Sequence, residues 1–152
     1  MINMKICLIC SVGGHLTQLL QLEDLWNRYD HFFVTHKKEI TRDLPKKHKT
    51  YFIKDPGRNP FCFLINFSQS FFILLTEKPN VIVTTGGGIA ILMSYLGKFF
   101  GKKIVYIESL SRVENPSLTG KLLYPIADLF LVQWKFLLKK YGPKAKYGGR
   151  LI

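Results

Sequence analysis

Three short stretches of the chain concentrate residue types that bind or transfer charged groups. The first is Ser11-Val12-Gly13-Gly14-His15. Paired glycines reach positive φ and let a ligand come close to the backbone. An apolar run precedes them and helical spacing follows, so the pair sits at a helix N-terminus. Free N–H groups and a partial positive charge there favour phosphate. His15 falls in the first helical turn, where it can donate a hydrogen bond or carry a proton. A tight turn beside a surface histidine is the plainer alternative. The second stretch is Thr84-Thr85-Gly86-Gly87-Gly88. Three adjacent glycines are costly in chain entropy, so turning alone is a poor reason for them. Close approach by a ligand or a partner is one reason; approach by neighbouring backbone, as in helix-on-sheet packing, is another. The third is Glu108-Ser109-Leu110-Ser111-Arg112-Val113-Glu114-Asn115, which brings together carboxylate, hydroxyl, guanidinium and amide groups. Glu108 could accept a sugar hydroxyl or act as a base, and Arg112 could hold a phosphate. The alternative is an Arg–Glu pair that merely ties the loop down.

Several other chemistries lack their residues. The first loop has glycine only at 13 and 14, so it is no G-x-G-x-x-G dinucleotide fingerprint, and no Gly-Lys-Ser/Thr follows as in a P-loop. No G-x-S-x-G nucleophile elbow appears. Cys7 and Cys10 form a C-x-x-C, but inside an apolar strand-like run positions 7 and 10 face opposite ways. They cannot share a metal there and read as buried small hydrophobes. His31, His36 and His48 show no metal-ligand spacing, and Trp26 and Trp134 read as core or interface aromatics. Neither a metal nor a cofactor is expected.

These loops need elements to hold them. Met4–Cys10 is a continuous apolar run, as in a strand buried on both faces. His15 to Tyr29 has apolar residues at helical spacing. Further strands are expected at His31–Thr35, Thr50–Ile53, Val81–Thr84, Lys103–Ile107 and Asp128–Val132. Helices are expected at Phe61–Glu77, Ile89–Phe100, Pro116 to about Ala127, and Gln133 to Tyr141. The charged segment Lys37–Lys49 reads as part helix, interrupted by Pro45. Strand–helix alternation with buried strands indicates a doubly wound, mostly parallel Rossmann-like α/β sheet. All three loops then leave the carboxyl ends of strands, where such sheets bind ligands. Residues 1–152 form one domain, and the residues from about 142 read as a basic tail.

Composition sets the surroundings. With 152 residues and 47% hydrophobic content the chain can build a real core. Lys and Arg number 22 against 10 Asp and Glu, a net charge of +12, and no acid occurs from Lys135 to Ile152. This balance suits phospholipid headgroups, nucleic acid or a polyphosphate, or simply a solvated basic face. The basic residues are not interleaved with aromatics in a nucleic-acid module, so that partner is set aside. No secretory signal is visible. The apolar stretch Phe61 to Leu75 is shorter than a span and holds Asn66, Ser68, Gln69 and Ser70, so it reads as a buried or membrane-lying helix. A cytoplasmic, peripheral membrane protein is expected.

Taken together, SVGGHLTQLLQL, VIVTTGGGIAI and YIESLSRVENPSLTGKLLYPIADLFLVQW resemble the Alg14 family, including its bacterial capsule and exopolysaccharide members. The likeness covers nearly the whole chain. The last stretch and the Gly-Gly-His loop also resemble, more distantly, the N-terminal half of the MurG glycosyltransferase. The resemblance implies one half of a split GT-B glycosyltransferase, equivalent to its N-terminal, acceptor-binding half. It implies an Alg13-like partner that holds most of the UDP-sugar, a polyprenyl-diphosphate-linked acceptor, and work at the cytoplasmic face of the plasma membrane. Gly13, Gly14, His15 and Thr17 would face the acceptor, and Gly86, Gly87 and Gly88 would line the same cleft. Glu108, Ser109, Arg112 and Asn115 would form its wall. His15 is the first choice of base for an inverting transfer and Glu108 the second. A non-catalytic scaffold for a competent transferase fits the same features. Family members that begin with a transmembrane helix differ from this sequence, whose first strand starts almost at Met1. Membrane contact is therefore expected from the Phe61–Leu75 helix and the basic segment Lys37–Lys49.

Overall fold

The first strand, β1 (Lys5–Cys10), is apolar and buried on both faces of a sheet from Ile6 to Cys10. In a computed structural model, which describes residues 3–151, it is the third of seven strands, in the order β3-β2-β1-β4-β5-β6-β7. The others are β2 (Asp30–Thr35), β3 (Thr50–Phe52), β4 (Val81–Gly86), β5 (Lys103–Ile107), β6 (Leu129–Val132) and β7 (Ala145–Tyr147). Every neighbouring pair is parallel. This is the doubly wound sheet expected. Strand order runs outward one way from β1 and the other way from β4, so the topological switch point lies between them.

Helices cover both faces. The segment expected as one helix from His15 to Tyr29 is two, α1 (Gly14–Leu20) and α2 (Glu23–Trp26). The break has a local cause. The Trp26 indole N–H donates to the Leu19 carbonyl at 3.0 Å, and Leu22 N–H takes the same oxygen at 3.2 Å in a tighter turn. Trp26 and Leu19 join Leu8, Cys10 and Phe33 in one core cluster. Cys7 lies in the cluster on the other face, with Ile9, Phe32 and Val34. The C-x-x-C is thus split across the sheet, and burial pushes the Cys10 thiol up to about 12. A 3-10 turn (Glu39–Thr41) and α3 (Leu44–Lys47) precede β3. Pro45 lies in the first turn of α3, where its missing N–H costs nothing. It helps to start that helix and does not interrupt one.

The longest helix is α4 (Pro60–Glu77), 18 residues capped by Asn59, whose side chain accepts from Phe61 N–H at 2.9 Å. Its polarity is reversed. The stripe facing the sheet contains Asn66, Ser70, Ile73, Leu74 and Glu77, all buried. Phe61 (77% exposed), Leu64, Phe67, Phe71, Phe72 and Leu75 point outward. Of the two readings, buried or membrane-lying, full burial is corrected, because the helix leaves a large apolar face exposed. Asn66 Nδ2 donates to the Lys54 carbonyl and Gln69 Oε1 accepts from Lys54 N–H, each at 2.7 Å. Glu77 is gripped by Lys5 and Lys49, both at 2.5 Å, and by the Tyr51 hydroxyl. The helix has the length and hydropathy of a membrane span, yet these bonds lay it along the sheet. Beside it packs α5 (Ile89–Phe99) and, next to that, α6 (Leu118–Leu123). Finally α7 (Phe136–Tyr141) covers β6 and β7.

The basic tail expected from about 142 is not one. Residues 145–147 pair with β6, Gly148 N–H donates to the Val132 carbonyl at 3.0 Å, and Leu151 N–H to Gln133 Oε1 at 2.7 Å. Only Ala145 of this strand is buried. Lys146 and Tyr147 mark an exposed edge, where lysine is the usual guard against further pairing. Met1, Ile2 and Ile152 lie outside the described residues.

Candidate functional site

At the switch point the first two loops meet. Ser11 N–H donates to the Gly86 carbonyl at 3.2 Å. The β1–β4 register slips there. Ile9 faces Thr84, but Cys10 faces Gly86, so Thr85 is an extra residue on β4. Such a bulge leaves one residue outside the ladder and re-aims it. The Thr85 carbonyl accepts from His15 Nδ1 at 2.8 Å, and its hydroxyl donates to the His15 carbonyl at 2.7 Å. This reciprocal clamp fixes the imidazole. A carbonyl only accepts, so Nδ1 carries the proton, and in the neutral ring Nε2 keeps the lone pair.

The glycines divide by role. Gly13, Gly86 and Gly87 have φ of +88°, +112° and +98°. A Cβ on Gly87 would overlap the Ser11 side chain, and one on Gly86 would lie 3.2 Å from the His15 ring. These two are glycine because the neighbouring loop presses against them. Gly14 and Gly88 have ordinary φ and nothing within 4 Å of a Cβ. Packing does not require glycine there, and both leave bare backbone at a helix start. Thr17 is exposed and turns its hydroxyl back onto the Gly13 carbonyl at 3.2 Å.

The third loop closes over the same point. Ser109 and Ser111 share a hydroxyl contact of 2.9 Å, and Leu110 is tied by its N–H to Gln18 Oε1 and by its carbonyl to the Trp134 indole. Gln133 bridges Gln18 and the Glu108 carbonyl. His15, Gly87, Tyr106, Ser109, Arg112 and Ser117 line a cleft of about 170 Å³. Arg112 is exposed and makes no ion pair among the described residues, so the Arg–Glu tie is not formed. Asn115 lies further out, in a shallow hollow with Ser111 to Glu114.

Comparison with known proteins settles the family. Residues 56–151 match the family described as oligosaccharide biosynthesis protein Alg14 like. The human UDP-N-acetylglucosamine transferase subunit ALG14 is 30% identical, with 99% of this chain and 84% of that protein covered. The chain belongs to the Alg14 family. The fission yeast subunit (Schizosaccharomyces pombe) is 50% identical over 76 residues, 47% of this chain and 36% of that protein. Among solved structures, Acinetobacter baumannii MurG superposes with a TM-score of 0.72 at 14% identity, over 88% of this chain and 42% of MurG. UDP-N-acetylglucosamine 2-epimerase from Rickettsia bellii gives 0.75 at 14% identity, over 97% and 45%. The Alg14-family chain thus has the GT-B-type fold expected from its sequence and spans under half of each of these larger chains.

Within this Alg14-family fold, one expected role is revised. Glu108 is fully buried. Its carboxylate accepts from the Tyr106 hydroxyl at 2.9 Å, Ser109 N–H at 2.9 Å, Ser117 N–H at 3.1 Å and hydroxyl at 2.9 Å, and the Tyr141 hydroxyl. Nothing is left over for a substrate proton, so Glu108 does not serve as the second base. It holds Ser117, the cap of α6, and thereby shapes the cleft wall. Burial beside Glu108 raises the Tyr106 phenol, and burial with the Glu108 hydrogen bond raises Tyr141, so both stay protonated donors. Sequence reasoning missed Thr85, Tyr106, Ser117 and Gln18. Thr85 stood inside the quoted glycine motif, and Gln18 lies one helical turn after His15. Tyr106 and Ser117 stood inside the third quoted stretch, but nothing in their spacing tied them to Glu108.

Proposed function

We propose that this chain is the acceptor-binding, membrane-recruiting subunit of a two-component UDP-sugar glycosyltransferase. Its acceptor is a saccharide on polyprenyl diphosphate, in capsule or exopolysaccharide synthesis. The observation that supports the reading is the His15–Thr85 clamp, which leaves the Nε2 lone pair free on a histidine that lines, with Gly87, the cleft at the switch point. The acceptor hydroxyl attacks the anomeric carbon of the UDP-sugar, the bond to UDP breaks with inversion, and the hydroxyl proton passes to His15 Nε2. Gly14, Gly88 and Arg112 face the acceptor diphosphate.

Two features support a split site. The cleft holds about 170 Å³, less than the roughly 300–1,000 Å³ of a complete small-molecule pocket. The relatives named above are themselves called subunits. An Alg13-like partner then brings the UDP-sugar and the donors that stabilise departing UDP. Membrane contact is peripheral, at the cytoplasmic face. Its surface is the outer side of α4, extended by the aromatic contacts Phe67–Phe71, Phe71–Phe100 and Phe99–Phe100 at 6.3, 5.8 and 5.5 Å. Phe99 is 84% exposed. A contiguous apolar face of this kind marks a contact surface.

The test is turnover of the reconstituted pair. His15→Ala lowers kcat by roughly 10²–10⁴, the loss of a proton-transfer group, in a variant that still folds with a somewhat lower Tm. Full turnover in that variant removes His15 from the mechanism. Full turnover of the partner alone on a soluble acceptor makes this chain a scaffold instead.

A further inference from the structure

A second cleft opens on the same carboxyl edge of the sheet, at the ends of β2 and β3. Two hollows of about 600 and 440 Å³ share Lys37, Lys38 and Phe52. Arg42 lines the first and Lys54 the second. Few acids offset this charge. Glu39 pairs with Arg42 at 3.6 Å, and Asp55, whose Oδ1 accepts from Gly57 N–H at 3.2 Å, lines the second hollow as one carboxylate against Lys37, Lys38 and Lys54. Among the described residues Lys37, Lys38 and Lys54 join no ion pair. His36 lines the second hollow, and its buried Nδ1 has no hydrogen-bond partner. Groups in that state are costly and attract a partner.

The other wall is apolar. Ile65 of α4 lines the second hollow and is half exposed, continuous with the outward Phe61 and Leu64. Asn66 and Gln69 clamp the Lys54 backbone from beneath, which sets the lysine where the basic cleft meets the apolar face. A free anion needs only the cations. A ligand with an anionic phosphate and a hydrocarbon chain uses both walls at once. We propose that this cleft takes the phosphate of an anionic membrane phospholipid, with its acyl chains against α4. The inference rests on the membrane-contact reading above and assigns the headgroup to a site separate from the His15 cleft.

The experiment is co-sedimentation of the whole chain with phosphatidylcholine vesicles and with vesicles in which a quarter of the lipid is phosphatidylglycerol. The variant Lys37→Ala/Lys38→Ala/Lys54→Ala loses about a hundredfold in affinity for the anionic vesicles, from three lysines near the surface, and keeps its binding to neutral ones. A charge-matched control, Lys139→Ala/Lys140→Ala/Lys146→Ala, sits on the far side of the sheet and loses less than about threefold, because its charges are screened. Equal losses in the two variants overturn the proposal, since net charge alone then explains binding. So does a cleft variant that keeps anionic binding but raises KM for the lipid-linked acceptor in the reconstituted pair, which would give the cleft to the acceptor diphosphate. If the wild-type chain sediments with neither vesicle, the membrane-contact reading fails as well.

Discussion

Replacing Glu77 with Gln isolates what holds α4 against the sheet. Burial alone would raise the Glu77 carboxyl, but hydrogen bonds from Lys49, Lys5 and Tyr51 and the Lys5 charge outweigh it and hold it at about 2, against an ordinary 4.5. Each unit is worth about 1.36 kcal/mol, so the grip contributes about 3.4 kcal/mol at most. Lys49 is 56% exposed and partly screened, which brings the figure to roughly 2–3 kcal/mol. The sign follows from the depressed value. The contribution is fully present above about pH 4.5 and fades as pH falls toward 2. Urea unfolding of wild type and Glu77→Gln, compared at pH 7 and pH 3, reads it directly. The stability difference should be roughly 2–3 kcal/mol at pH 7 and about 1 kcal/mol at pH 3. Other carboxylates titrate in both proteins and cancel. A difference that stays constant over this range refutes the argument, because it would mean that shape and not charge anchors the helix.

Two further substitutions probe the cleft. Gly87→Ala forces a side chain to φ +98° and into Ser11, at a cost of roughly 2–4 kcal/mol, seen as a lower Tm. Adding Ser11→Gly should recover the overlap portion but not the backbone strain. Glu108→Ala leaves the Tyr106, Tyr141 and Ser117 hydroxyls and Ser109 N–H without their acceptor and should cost roughly 3 kcal/mol or more in denaturant unfolding. Where it folds, KM for the acceptor should rise while the acid limb of the pH profile stays put; loss of that limb would restore Glu108 as a base.

The sheet was legible because strands buried on both faces leave unbroken apolar runs, and Ile6 to Cys10 is one. The loops were legible because glycine and polar residues interrupt those runs at strand ends. The His15 clamp was not, since it depends on one extra residue in a ladder, and a register slip leaves no compositional trace. Nor was the enclosure of Glu108, whose partners reach from Tyr106 to Tyr141. The last strand was hidden by its exposed lysine and tyrosine and by the glycines after it. In α4 the apolar content was plain, but the burial of Asn66 and Glu77 depends on partners in β1, in and just before β3, and in the loop after it.

These misreadings share a cause. The polar Glu108, Glu77 and Gln18 are buried and spent on internal hydrogen bonds, while the apolar Phe61, Leu64, Phe67, Phe71, Phe72 and Leu75 of α4 form surface. A buried carboxylate survives only when its lone pairs are filled, so each such group draws donors from several elements and stiffens what lies above it. Around Glu108 the stiffened parts are the cap of α6 and the Ser109 loop; around Glu77 they are the end of α4 and the first residues of β1 and β3. Among the described residues, those left at the switch point include His15, Arg112, the hydroxyls of Ser109 and Ser111, and the exposed backbone of Gly14 and Gly88. On the function proposed above, this rigid frame positions the acceptor, and the groups that stabilise a departing nucleotide come from the partner that closes over it.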